Sequence, residues 1–234
     1  MSSLSVINIV IYSGLTILCY QFFVFIQKKA KSIYLNPMLL SVLVIIAILS
    51  YFDISYVTYQ EHSALLSNLL TPAVVALGYP LYQHLDTVKQ QWKKILCYLT
   101  IAAIFVVTLS YLITMLIIGD HSVAVSLSLK SITTPIGLAL TEQLAGNAAI
   151  TAFTIIIAGL VGATIGIKWL TFIKVTSPHA QGLAIGTASH ALGTATISGI
   201  SFKHAAYSSF ALIVSATVTA IISPIIIPLL KLFF

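Results

Sequence analysis

The sequence predicts an all-α polytopic membrane protein, and three observations carry that prediction. Of 234 residues, 59% are hydrophobic and only 7% are charged, whereas an ordinary globular domain carries roughly 25% charged residues. The apolar residues fall into runs long enough to cross a bilayer core of ~30 Å at ~1.5 Å rise per residue. The charges that remain gather at the edges of those runs.

Taken in order, residues 6–26, 37–52, 95–118, 148–170 and 207–230 are uniformly apolar. Residues 64–82, 123–145 and 182–200 are interrupted by Pro, Gly, Ser, Thr or His. The first run is too long for a signal h-region, lacks a basic n-region and has no small-residue cleavage site, so it reads as a retained helix. Cys19 and Cys97 both lie inside apolar runs, which argues against a disulfide scaffold. The expectation is a single integral membrane domain over 1–234. It has N-terminal helices over 1–121 and a second half, 122–234, that holds the interrupted segments.

All eleven basic residues are lysine. They form no basic face, so the high pI reflects membrane flanks and not nucleic-acid binding. Lys28, Lys29 and Lys31 follow the first run, Lys89, Lys93 and Lys94 the third, and Lys168 and Lys174 the sixth. The loops at 53–62 and 119–121 instead carry Asp53, Glu61 and Asp120. Lysine loops in the cytoplasm give four simple crossings with the N-terminus outside. The fifth run, 123–145, then has to enter from outside, break and return, since otherwise Lys168 and Lys174 fall on the wrong side. Pro135 supplies a break, because it removes a helical hydrogen bond and clashes with the preceding turn. The run 182–200 has the same character and re-enters from the cytoplasm. The expectation is therefore about six spanning helices plus two re-entrant or broken segments, with a possible inverted repeat in the C-terminal half. The echo of Thr71-Pro72 with Thr134-Pro135 hints at a break in the third run as well.

Candidate chemistry sits on the two interrupted segments. Ser126, Lys130, Thr133, Thr134, Gly137 and Thr141 fall at helical spacing, a polar stripe on one face. A lysine, hydroxyls and the free N–H groups of a half-helix suit a small carboxylate; the competing reading is hydroxyls bonded within their own helix and a lysine reaching an interface. Glu142 is either a proton-relay carboxylate or a solvated residue at the hairpin end. His190, with Gly182 and Gly186 above it and Gly193 and Thr194 below, is either a substrate ligand and proton coupler or a structural histidine at a close helix contact. Gly159, Gly162 and Gly166 read as a helix-packing face. The loop histidines, His62, His84, His121, His179 and His204, show no metal-ligand spacing. Neither a nucleotide-binding fingerprint nor a nucleophile–base pair is visible, so no metal, cofactor or enzyme activity is expected.

The stretches Lys130-Ser-Ile-Thr-Thr-Pro-Ile-Gly-Leu-Ala139, Gly146-Asn147 and Gly182-Leu-Ala-Ile-Gly-Thr-Ala-Ser-His190-Ala-Leu-Gly-Thr-Ala195 resemble the LrgB/CidB family, most closely its Gram-negative YohK-like members. The resemblance covers essentially the whole chain. It implies holin- or antiholin-like behaviour, acting on murein hydrolase activity and autolysis beside a smaller LrgA/CidA-type membrane partner. It also implies carboxylate movement, since family relatives include a plastid glycolate/glycerate translocator and pyruvate-moving bacterial pairs. The family motif carries over at Lys130, Thr133, Thr134, Pro135, Gly182, Gly186, Thr187, His190, Gly193 and Thr194. The chain departs from it at Gln181, where a basic residue is common, and in the loop 198–207, which lacks acidic residues.

The expected function is thus a transporter of small monocarboxylates in the bacterial inner membrane, the alternative a holin/antiholin-like modulator or accessory subunit. Lys130, Ser126, Thr133, Thr134, His190 and Thr194 are the expected substrate ligands, and His190 and Glu142 the expected proton couplers. Pro135, Gly137, Gly182, Gly186 and Gly193 are the expected broken backbone. A homo-oligomer, most simply a dimer, is expected.

Overall fold

The computed structural model describes residues 3–30, 37–76, 79, 82 and 85–234. Lys31, His84 and part of the 64–82 run lie outside the described residues. Regular structure is entirely helical among the described residues. The chain divides into two compact units, Met1–Ala76 and Leu77–Phe234, a boundary well upstream of the 121/122 division drawn from the motifs.

The first unit holds α1 (Ser3–Ala30), α2 (Pro37–Tyr51), α3 (Tyr56–His62) and α4 (Ala64–Ala76). α2 buries Ser41, Ile45 and Leu49, a stripe at intervals of four, and it packs on α1. Residues 56–62 were expected in a loop but form a helix, because Ser55 caps its first turn by accepting from the Thr58 N–H. α3 turns 118° from α2 and lies against α1, where Tyr59 OH meets Thr16 Oγ1 at 2.7 Å and Tyr12 packs edge-on against Tyr59. α4 runs through Pro72 without interruption, so the expected break at Thr71-Pro72 is absent within Ala64–Ala76.

The second unit holds α5 (Leu85–Ile117), α6 (His121–Ser128), α7 (Thr134–Gln143), α8 (Ala148–Val161), α9 (Ile167–Phe172), α10 (Pro178–Ser198) and α11 (Phe202–Lys231). A π-helical turn at Gly162–Gly166 joins α8 to α9. Four described helices are long and apolar enough to cross a membrane: Ile7–Ala30, Gln91–Ile117, Ala148–Phe172 and Phe202–Lys231. The bent pair α2 and α3 would make a fifth. With the two interrupted segments, these spans accord with the expected all-α membrane protein of several crossings. The chain is a multi-pass membrane protein.

The two interrupted segments both fold back. α6 stops at Ser128 and α7 starts at Thr134, with Pro135 in its first turn, where proline costs no hydrogen bond. The Asn147 N–H donates to Ser126 Oγ at 2.8 Å; a straight helix would separate those residues by roughly 30 Å. α10 breaks at His190, whose φ of 41° and ψ of −140° are non-helical. A Cβ placed on Gly193 would lie 2.8 Å from Ile185 Cγ2, so the arm after the break lies on the arm before it.

The hairpins approach α11 from opposite ends. His204 and Ser208, early in α11, contact Gly182 and Gly186. Ile227, with Ala220 and Leu230 beside it, packs with Val125, Leu129 and Tyr111 on the α6 side. α5 follows the same order: Ile95 and Leu99 pack against Tyr207 and Ala211, and Val107 and Tyr111 against Val125 and Leu129. This is the inverted pair of re-entrant hairpins read from the lysine count.

Candidate functional site

The two hairpin tips meet. A groove of about 750 Å³ is walled by Lys130 and Ser131 from the first tip, by Ala188 and Ser189 from the second, and by Thr154, Ala158 and Gly162 of α8 and its π turn. On the other side of the tips lies a smaller cavity of about 330 Å³, with Ser128, Ser131, Thr187, Ser215 and Thr219 in its wall. Ser131, Val106, Ala184 and Ala188 line both.

Among the described residues, Lys130 is the single charged one in the walls of the groove. Its Nζ donates to Ser110 Oγ on α5 and, at 3.4 Å, to the Leu127 carbonyl. Both acceptors are neutral. The rest of the wall is largely apolar, including Phe153, Ile157, Val161, Ile165 and Trp169. An ammonium in such surroundings is stabilised by an anion far more than it would be in water.

The polar stripe expected from helical spacing is divided by the break. Ser126 is fully buried; its Oγ accepts from Asn147 N–H and donates to the Ser122 carbonyl at 2.7 Å, fastening the hairpin base. Thr141 donates to the Gly137 carbonyl at 2.7 Å and meets Thr151 Oγ1 at 2.8 Å, tying α7 to α8. Thr133 is the N-cap of α7 and makes no side-chain cap bond. Thr133 and Thr134 wall neither cavity. Glu142 stands exposed in the last turn of α7, at the base of the hairpin and away from its tip.

His190 is 5% exposed and its Nε2–H donates to the Ile155 carbonyl of α8 at 2.8 Å. Its ring fills the space a side chain on Gly159 would need, 2.8 Å from that Cβ position. The imidazole therefore faces the backbone of α8 and not either cavity, while its neighbours Ala188 and Ser189 face the groove. Thr194 is buried, with a long 3.5 Å contact to the Ser208 carbonyl. The break in α10 falls at His190; Gly182, Gly186 and Gly193 lie in helical backbone and serve close approach instead. A Cβ on Gly186 would lie 2.2 Å from the Ser208 carbonyl oxygen. Gly137 likewise is helical and faces Ile155. Gly159, Gly162 and Gly166 receive His190, Ser189 and Ile185, so the small face of α8–α9 is the seat of the second hairpin. The π turn sits where Ser189 presses on Gly162, the kind of inserted contact that widens a helix.

Gln181 anchors the base of that hairpin. Its amide donates to the Val175 carbonyl at 2.8 Å, and its Oε1 accepts from His204 Nε2–H at 3.0 Å. At the other end His121 Nδ1 meets Tyr111 OH at 2.8 Å. Burial holds the His121 imidazole below its ordinary range, and Lys231 adds to this while Asp120 opposes it. Leu230 packs against the cluster that holds Val125 and Leu129, so the end of α11 lies beside the first hairpin.

Ser110, Ser128, Ser131, Thr154, Ser189, Ser215 and Thr219 were not singled out from the sequence as site residues. Ser131 and Ser189 adjoin Lys130 and His190. Ser215, Thr219 and Ser223 recur every four residues along α11, a signal of the same kind as the stripe on the fifth run.

Comparison with known proteins accords with the motifs. The "Holin-like protein CidB" of Staphylococcus aureus is 34% identical over 220 residues, 94% of each chain. That of Staphylococcus epidermidis is 34% identical over 224 residues, again 94% of each. The "Antiholin-like protein LrgB" of Bacillus subtilis is 32% identical over 207 residues, 88% of this chain and 90% of its own. No solved structure matches the chain. The LrgB-like family model matches residues 16–229, which takes in both hairpins and most of the first unit, and the chain belongs to that family.

Proposed function

We propose that the chain is a secondary transporter of small monocarboxylates, pyruvate- or glycolate-like, in the bacterial inner membrane, working with a smaller LrgA/CidA-type partner. The observation that carries the reading is Lys130. An ammonium with only neutral partners stands at the tip of a re-entrant hairpin, on a groove shared with the tip of a second, oppositely inserted hairpin. Broken helices meeting between inverted repeats are where secondary transporters hold substrate. In this reading Lys130 pairs with the carboxylate, with Ser131, Thr154 and Ser189 available as hydroxyl partners. His190 positions the second tip through Ile155, and a dimer is the simplest closed assembly.

The names of the relatives favour a second reading, a holin- or antiholin-like modulator of murein hydrolase activity and autolysis. The two readings separate in proteoliposomes. Uptake of labelled pyruvate and glycolate that saturates, and that Lys130→Ala removes, supports transport. Release of large solutes without saturation, unchanged by Lys130→Ala, sinks it and favours the holin-like role.

A further inference from the structure

We infer that the larger groove is a site for amphipathic monocarboxylates, with the carboxylate on Lys130 and a short aliphatic tail along α8 and α9. This deepens the transport reading, on which it rests for movement across the membrane but not for binding.

The groove has one polar end. Lys130 and Ser131 stand on the first hairpin tip and Ser189 on the second, and neither serine hydroxyl bonds another described residue. Thr154 gives its proton to the Ile150 carbonyl of its own helix at 2.9 Å. The remaining wall on α8 and α9 is set by Phe153, Ile157, Val161, Ile165 and Trp169, a row that recurs every four residues and so runs along one helical face. α10 adds Ala184, Ile185 and Ala188. Among the described residues the wall thus offers one ammonium and no partner for a second charge. A dicarboxylate, or an acid with hydroxyls along its length, would lose water there without replacement.

Depth fixes what the open side of the groove meets. α8, the π turn and α9 form one membrane-spanning length, Ala148–Phe172, and Phe153, Val161, Ile165 and Trp169 are exposed on it. In a bilayer these positions border hydrocarbon. An aliphatic tail laid along them is at home on both sides, whereas a polar tail is not.

Size and charge complete the description. About 750 Å³ falls within the ~300–1,000 Å³ of sites that hold drug-sized ligands, so pyruvate or glycolate alone leaves most of the groove unfilled. A lipid chain would cover the apolar wall but leave the ammonium with neutral partners. An anionic head on an apolar tail answers both.

The test is competition with labelled pyruvate for uptake by proteoliposomes of the full-length protein, using unlabelled acetate, propanoate, butanoate and hexanoate. The inhibition constant is expected to fall about fourfold for each methylene buried, with glycerate competing less well than butanoate. Constants that stay level or rise along the series overturn the inference and leave the carboxylate reading standing. Ala158→Phe, which narrows the groove, and Val161→Ser, which puts a hydroxyl in its wall, are each expected to flatten the series. A slope unchanged in both variants overturns the placement of the tail. Absence of uptake overturns the transport reading, and the thermal unfolding midpoint in detergent then decides the groove on its own. A rise with hexanoate that exceeds the rise with acetate, and that Lys130→Ala removes, upholds the site. Equal rises, no rise, or a rise that survives in Lys130→Ala overturns it.

Discussion

At the scale of single residues, Lys130 depends on its neighbour. Ser110 supplies one of its two hydrogen bonds from another helix, and a hydrogen bond to a charged group contributes about 1.5–3 kcal/mol. Ser110→Ala should therefore raise the KM for carboxylate uptake about tenfold or more with a smaller change in maximal rate, while Lys130→Ala should remove saturable uptake. An unchanged KM in Ser110→Ala would mean that the serine does not position the ammonium. His121 gives a pH dependence. Its folded-state affinity for a proton lies below the ordinary value, chiefly through burial, so the unfolded chain binds the proton more readily. Stability is then lost as pH falls through the ordinary imidazole range near ~6.5, and no such loss occurs above it. Thermal unfolding followed from about pH 8 to 5 should show this fall in the native protein and a shallower one in His121→Gln.

At the scale of elements, glycine decides which contacts are rigid. A Cβ on Gly186 would fall 2.2 Å from the Ser208 carbonyl oxygen and 2.8 Å from its Cα, and backbone cannot step aside as a side chain can. Gly186→Ala should cost about 1–3 kcal/mol or more and lower the unfolding midpoint. Gly137 faces the terminal methyl of the Ile155 side chain, which can shift where backbone cannot, so Gly137→Ala should cost less. Gly14, with nothing within 4 Å, should gain up to about 1 kcal/mol on change to alanine. A midpoint for Gly186→Ala above that for Gly137→Ala would refute this ordering. Element by element, the sequence disclosed what depends on local chemistry. Pro135 marked the break in the first hairpin because proline acts on its own backbone. The break at His190 left no such mark, since a histidine with φ of 41° is held there by Ile155 and Gly159, partners more than thirty residues away. The stripe from Ser126 to Thr141 misled for a related reason: helical spacing assigns one face only while the helix continues, and the chain turns back between Ser128 and Thr134.

At the scale of the whole molecule, the lysine count implied two hairpins entering from opposite sides, and the two hairpins do approach α11 from opposite ends; that rule acts on the loops that flank the spans, whatever the packing. That Lys130 and Ser189 share one groove, with Ser215 and Thr219 on the cavity behind the tips, lay beyond that rule, since it depends on how the two hairpins pack. The topology has a direct check in cysteine variants of a cysteine-free background, labelled from each side of intact membranes. Residues 120 and 147 are exposed and should label from one side. Residues 174 and 203, also exposed, should label from the other. Labelling of 120 and 147 from opposite sides would mean that the first hairpin crosses outright.

The helix α11 grips its two neighbours differently. The second hairpin lies against it backbone to backbone at Gly182 and Gly186, while the first meets it through the side chains of Ile227, Ala216 and Leu140. Side chains re-seat where backbones cannot, so the seam with the first hairpin should absorb a change of side-chain size at small cost, while the seam with the second admits none.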